Sequence, residues 1–289
     1  MKSSASKLRE LLKRKGILVA PGVHNALGAK IVEEAGFEAV YISGFAVEAS
    51  YGYPDMSNIT MTEMVQRAAS VAQSVEIPVI CDAETGFGNA INVIRAVREF
   101  ERAGVAGIHL EDQALPKKCG SFPGKEVIPK EEMVGKIRAA IEARRDPDFV
   151  IIARTDAFES HGMGEIIARG RAYAEAGADL IQPILPLTRE QIKTACSSFD
   201  KPVMVVVSET PVRIMHPFAA LEEMGVKLAL IPLTLTFTAI TAMRRAAKEI
   251  KESGTITSIV ERNDKWESVL NLVGYDRFVN LSERYGPKG

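Results

Sequence analysis

The sequence predicts a (β/α)8 barrel, an α/β fold of TIM type, and three observations carry that prediction. Four times a helical stretch ends on a glycine and runs straight into an apolar, β-branched segment, at Gly36, Gly104, Gly177 and Gly225. Three further segments of the same kind are introduced by Pro78, Pro147 and Pro202. All are continuously apolar rather than alternating, as strands are when both faces of a parallel sheet are buried.

Taken in order, GILVAPG at 16–22 supplies the first strand and FEAVYISG, after EEAG, the second. IPVICDAE is the third, VAGIHLED the fourth, DPDFVIIARTDA the fifth, ADLIQPIL the sixth, KPVMVVVSE the seventh and VKLALIPL the eighth. Glycine stands just past a helix end because it enters the left-handed region without a Cβ clash. Proline ends a helix or loop and tolerates the start of a strand. Helical patterns such as TEMVQRAASVAQSV (62–75) and NVIRAVREFERAG (92–104) lie between the strands. Eight such units make one barrel domain over residues 1–289. A doubly wound open sheet is the alternative, weakened because no glycine-rich dinucleotide or Walker loop follows the first strand. Helices near 239–252 and 256–273 exceed what a barrel needs. The extension from about 239 to 289 is therefore expected to pack on a partner subunit.

Composition removes other classes of answer. With 289 residues, 46% hydrophobic and 25% charged, the chain is long enough for a large core, and a net charge of −1 lacks the electrostatic footprint of a nucleic-acid binder. No apolar run is long enough to span a membrane. The N-terminal MKSSASKLRELLKRKG lacks the apolar core and cleavage site of a secretory signal. Cys81, Cys119 and Cys196 are too few and too scattered for a disulfide framework, and read as reduced thiols in a cytoplasmic protein.

In a barrel the chemistry sits where the strands end at their C-terminal mouth. The polar residues closing the strands are Ser43; Asp82 and Glu84; Glu111 and Asp112; Arg154 and Asp156; Gln182; Ser208 and Glu209; and Thr234. Asp82 and Glu84, two apart, point to one side of a strand, and Glu111 ends the next. Three carboxylates without a neighbouring His or Cys suit a hard ion such as Mg²⁺, with Mn²⁺ as an alternative. The plainer reading is that they cap helices or pair with Arg154.

Cys119 lies in PKKCGS, within the long loop 113–131. Lys117 and Lys118 beside it are expected to lower the thiol pKa. A proton donor on a closing lid and an incidental loop cysteine both remain open on the residues alone. His109, two residues before Glu111, reads as a satisfied core histidine. Tyr41 needs a polar partner if buried, and Asp55 follows in the loop YGYPDMSN.

Several stretches resemble the isocitrate lyase and phosphoenolpyruvate mutase superfamily: PGVHNALGAKIVEEAGFEAVYISG, TMTEM, CDAETGFGN, GIHLEDQALPKKCG, IIARTDA and LSERY. The resemblance covers the whole chain. It implies a barrel whose last helix is swapped between subunits, usually in a homotetramer, and a Mg²⁺-bound 2-oxo acid or its enolate. It implies that Ser43 and Gly44 grip a carboxylate, that Asp82 and Glu84 hold Mg²⁺ with Glu111 nearby, and that Arg154 pairs with the substrate. It makes Tyr41 a candidate base, places Asp55 in the site and makes Cys119 the general acid of a lyase, with Gly120 and Ser121 against the substrate. Glu84 stands where the family more often has Asp. The match at Cys119 favours carbon–carbon cleavage of a 2-hydroxy di- or tricarboxylate to a 2-oxo acid such as pyruvate.

The chain also departs from the pattern. Ser121 replaces the histidine that usually follows Cys-Gly, and Ile184 a glutamate on strand six. Valines precede Ser208 where an asparagine or threonine is usual, and Phe237 replaces an arginine after strand eight. In the family those groups bind the second and third carboxylates. The pyruvate half thus reads as intact and the other half as more apolar, which suits a dimethylmalate-like diacid better than methylisocitrate. An oxaloacetate-type decarboxylase or hydrolase, a carboxyphosphonoenolpyruvate mutase-like enzyme and a non-catalytic oxo-acid binder are the alternatives.

Overall fold

A computed structural model describes residues 2–211 and 213–286. Eight parallel strands close into a barrel in sequence order: β1 (Leu18–Val23), β2 (Val40–Ile42), β3 (Val79–Asp82), β4 (Gly107–Glu111), β5 (Val150–Thr155), β6 (Leu180–Pro183), β7 (Val203–Val206) and β8 (Val226–Ile231), with β8 returning to β1. All eight predicted segments supply a strand. The glycines expected at helix ends do their work there: Gly104, with φ 89°, caps the helix Ala90–Ala103 in the left-handed region.

The period of two along each strand sorts side chains between two cores. Ala20, Tyr41, Ile80, Ile152, Met204 and Leu228 fill the barrel interior. Ile42, Cys81, Ile108, Ile151 and Ile181 pack outward against the helices. Followed toward the strand ends, the inward series turns polar: Ile80 leads to Asp82, Ile152 to Arg154 and Leu180 to Gln182. The same alternation that fills the bottom of the barrel thereby builds the ring of functional groups at its top.

One strand-end candidate falls on the other face. Asp112 is fully buried outside the barrel, where its carboxylate accepts from Tyr173 Oη (2.8 Å) and the Asp156 backbone N–H (2.9 Å) and pairs with Arg169 (3.1 Å). It ties the barrel wall to the helix Phe158–Glu175.

The C-terminal region differs from expectation in detail. The helix Thr234–Ser253 follows β8, and the pattern at 256–273 is two helices, Thr257–Arg262 and Trp266–Val273. A further helix, Tyr275–Tyr285, was not foreseen. Gly274, at φ 74°, allows the chain to turn between the last two. These last three helices bury only Ile259 among the described residues, while Trp266 is 73% and Phe278 65% exposed. The terminal part of the expected extension, 287–289, lies outside the described residues.

Candidate active site

Strand register brings the polar ring together. Asp82 pairs with His109 across β3 and β4, Glu111 with Arg154 across β4 and β5, and Arg154 with Gln182 across β5 and β6. Inside this ring the Tyr41 hydroxyl lies 2.8 Å from His109 Nε2 and 3.3 Å from Asp82 Oδ2. Burial, reinforced by the Asp82 charge, pushes the Tyr41 phenol well above its ordinary pKa. Tyr41 is therefore a protonated phenol backed by an imidazole.

Asp82 and Glu84 converge on Gly44. A Cβ built there would stand 2.5 Å from Asp82 Oδ2 and 2.8 Å from Glu84 Oε1, so only glycine leaves that space open. Glu84 itself has φ 54°, an uncommon conformation for a residue with a side chain. Its backbone N–H donates to Asp82 Oδ1 at 2.9 Å. Burial raises Glu84 to about 8, an effect the Lys117 ammonium only partly offsets. Asp82 goes the other way: burial opposes ionisation, but His109, Lys117 and Arg154 together hold it well below the usual carboxylate range. Buried oxygens Glu84 Oε1 and Glu111 Oε1 have no hydrogen-bond partner among the described residues. An orphaned Glu84 oxygen beside an open glycine cradle, with a second orphan on Glu111, fits a hard, oxygen-loving divalent cation. Glu111 is partly engaged, 2.7 Å from Arg154.

A second carboxylate group, Glu48, Asp55 and Glu84, brings its ligand atoms within 4.8 Å of one another, and most of its oxygens already accept from neighbouring donors. Glu48 accepts from the backbone N–H groups of Met56 and Asn58 at 3.1 Å each, fixing the loop that carries Asp55. The Lys117 ammonium sits 2.5 Å from Asp55 and 2.8 Å from Glu84.

This placement corrects the expectation for Cys119. Lys117 is turned away to its carboxylates and Lys118 donates to the Gly124 carbonyl at 2.8 Å, so neither ammonium serves the thiol. Burial comes first and the Asp55 charge second in pushing Cys119 up to about 11. The thiol is kept protonated rather than activated as a nucleophile. Its backbone N–H donates to the Asp55 carbonyl at 3.1 Å, and Gln113 brackets Lys118 through two hydrogen bonds, which folds the loop over the mouth.

Tyr41, Ser43, Asp55, Asp82, Cys119 and Arg154 line one small cavity of about 50 Å³. Ser43 also caps the helix Gly44–Ser50, and the Gly44 N–H donates to Asp82 Oδ2 at 3.2 Å. Arg154 is held by Asp156 through two bonds, 2.7 and 3.1 Å. Against this geometry stand the likenesses to known proteins. Residues 8–251 match the family model described as phosphoenolpyruvate phosphomutase. The chain is 42% identical over 287 residues to a 2,3-dimethylmalate lyase of Eubacterium barkeri, covering 98% of each chain. It is 41% identical to a 2-methylisocitrate lyase of Aeropyrum pernix over 93% of this chain and 86% of that one.

The chain belongs to the phosphoenolpyruvate mutase/isocitrate lyase superfamily. Within that superfamily, the solved structure of an oxaloacetate acetylhydrolase with 3,3-difluorooxalacetate superposes with a TM-score of 0.93 at 31% identity, covering 99% of this chain and 98% of that one.

Against the superfamily pattern the substituted positions cluster. Ile184 and Ser121 line the small cavity beside Val206 and Ser208. Phe237 packs edge-on against Phe45, another cavity residue, with ring centroids 5.8 Å apart. Sequence reasoning undervalued His109, whose position one register step from Asp82 was the available signal. It missed Arg213, in the loop after β7, which no motif marks. It named Lys117 only as a neighbour of Cys119, because the ion pair joins residues 62 positions apart.

Proposed function

We propose that the protein is a Mg²⁺-dependent lyase that cleaves the C2–C3 bond of a short, branched 2-hydroxy diacid, of the 2,3-dimethylmalate kind, to pyruvate and a monocarboxylic acid. The observation that carries this reading is a protonated Cys119 thiol lining the same small cavity as Tyr41, Asp82 and Arg154. A mutase that moves a phosphoryl group puts no proton on carbon, whereas a cleavage that leaves its electron pair on carbon needs a donor there.

The hydroxy-acid end of the substrate lies against Ser43, Gly44 and Arg154. A divalent cation held by Asp82 and Glu84, with Glu111 close by, would supply Lewis acidity and a template for the 2-oxygen and its adjacent carboxylate. Tyr41 accepts the 2-hydroxyl proton as it passes its own to His109 Nε2, 2.8 Å away. That relay lets a phenol act as a base without free phenolate in the resting site, and Asp82, 3.4 Å from the imidazole, steadies the positive charge formed. The C2–C3 electron pair moves to C3 and C2 becomes a carbonyl. Cys119 Sγ–H then gives its proton to C3, the thiolate regains one from solvent, and as the products leave His109 returns its proton to Tyr41 while Tyr41 releases its own to solvent. Asp55, beside the thiol and paired with Lys117, holds the loop in place. Gly120 and Ser121 lie against the departing fragment.

The experiment is Mg²⁺-dependent release of 2-oxo acid from dimethylmalate, methylisocitrate, isocitrate and oxaloacetate, by wild type and by Cys119→Ser. Cys119-dependent release from the branched diacid supports the reading. Turnover confined to oxaloacetate and indifferent to Cys119 establishes the second reading, oxaloacetate cleavage, which the likeness to the acetylhydrolase favours. The oligomer, proposed as a tetramer, rests on the exposed apolar face of the C-terminal helices.

A further inference from the structure

Beyond the small cavity lies a larger one of about 350 Å³, and the two share Gly120, Ser121, Ile184 and Arg213 in their walls. Phe122, Phe158, Leu185 and Pro186 make the outer cavity largely apolar. Arg213 stands where the two meet. Its Nη1 donates to Ser208 Oγ at 3.2 Å, and no carboxylate lies within 4 Å of its guanidinium among the described residues.

Among the described residues, the other cations lining these cavities are committed. Arg154 is held by Asp156 and Glu111, Lys117 by Asp55 and Glu84, and Lys125 by Glu159 at 2.7 Å. Arg213 and Arg154 approach each other across Gly120, where a built Cβ would lie 2.8 Å from Arg154 Nη2 and 3.4 Å from Arg213 Nη2. Burial first and the Arg154 charge second bring Arg213 down to about 10, which Asp156 offsets only in part. A cation left unpaired at the junction of a polar pocket and an apolar one is placed for a carboxylate with alkyl groups attached.

We propose that Arg213 binds the carboxylate of the fragment that Cys119 protonates, and that the outer apolar cavity takes that fragment's alkyl substituents. This rests on the lyase reading and deepens it. As C2–C3 breaks, the electron pair on C3 delocalises into that carboxylate, so Arg213 meets a charge that grows in the transition state. With one free cation among the described residues, the site accepts one carboxylate at the far end, which selects a diacid over a tricarboxylate. The groups lost at Ser121, Ile184 and Phe237 are thus replaced by a single arginine from a different loop.

The test compares 2,3-dimethylmalate with its 4-monoamide, which keeps the shape and removes the charge. Binding is measured by calorimetry with Mg²⁺ on Cys119→Ser protein, where turnover is suppressed, with and without Arg213→Gln or Arg213→Lys. Cleavage is measured on the Arg213 variants alone. The expected preference for the diacid is roughly 10- to 100-fold, the range of one charge-assisted hydrogen-bonded pair. Arg213→Gln abolishes that preference and lowers kcat as well as kcat/KM, and Arg213→Lys restores part of each. A merely structural arginine would not alter acid-over-amide discrimination. If the Arg213→Gln protein keeps the full preference, the assignment of Arg213 is overturned while the lyase reading stands. If the wild type neither binds nor cleaves the diacid, the lyase reading fails and takes this inference with it.

Discussion

The hydroxyl of Tyr41 stands 2.8 Å from Nε2 of His109, in a buried ring where strand register sets His109 opposite Asp82. A phenol driven above its ordinary pKa by burial is a poor base alone, and the imidazole supplies the missing acceptor. His109→Phe is expected to lower kcat by about 10²-fold or more with little change in KM, the usual scale for removing a proton-transfer partner. A steady-state comparison with wild type checks it. An unchanged kcat would show that Tyr41 works without its neighbour.

Cys119 gives a second expectation because its pKa is raised to about 11, by burial first and by Asp55 next. Alkylation requires thiolate, so iodoacetamide should inactivate the enzyme slowly at neutral pH, with a rate that climbs toward pH 11. Asp55→Asn removes a negative neighbour and shifts that climb to lower pH. A rate that levels off near pH 8 in the wild type would mean that the lysines do reach the thiol.

Lys117 is the cation for two buried carboxylates, at 2.5 and 2.8 Å. Lys117→Met strands the buried Asp55 carboxylate without its cation and removes the charge that partly offsets the burial of Glu84, and should cost about 3–5 kcal/mol of stability. Asp55→Asn added to it should recover part of that loss, since it removes the stranded charge. Urea denaturation midpoints decide the matter, and unchanged midpoints would show that the pair contributes nothing.

Glu84, raised to about 8 from an ordinary 4.5, links metal binding to pH. The folded protein holds a proton that the unfolded chain releases above its ordinary value. Metal-free stability from this group is thus complete below about 4.5 and is lost as pH rises through about 8. Protons compete with a cation for the same oxygens. Added Mg²⁺ should accordingly raise Tm more at pH 8.5 than at pH 6, and Asp82→Asn should abolish the increment. An equal increment at both pH values would place the ion elsewhere.

Much of this was legible in the sequence because local rules carry it. Glycine after a helix and proline before an apolar run mark strand starts from a few residues, and all eight were found. Asp82, Glu111 and Arg154 could be read as a group because the period of two and the C-terminal ends of strands put them on one rim, whereas Glu84, expected on the same strand face as Asp82, lies past the end of β3 and reaches the site through a left-handed turn at φ 54°. What stayed hidden depends on long-range packing. Lys118 and Lys117 look alike in PKKCG, yet one reaches Gly124 and the other spans to Asp55, so neither offsets the burial that raises Cys119. Asp112 shares a strand end with Glu111 but faces outward to Arg169. Arg213 sits in an irregular loop with neither period nor motif, and only the folded chain brings it beside Gly120.

The most direct measurement is cleavage of 2,3-dimethylmalate in D2O with Mg²⁺, followed by isotope analysis of both products. The account predicts equal amounts of pyruvate and of propionate carrying one deuterium at its carbon 2, with Cys119→Ser slower by about 10²-fold or more. Cleavage that proceeds at the wild-type rate in Cys119→Ser, or a protein that leaves the diacid untouched and hydrolyses oxaloacetate instead, would contradict it.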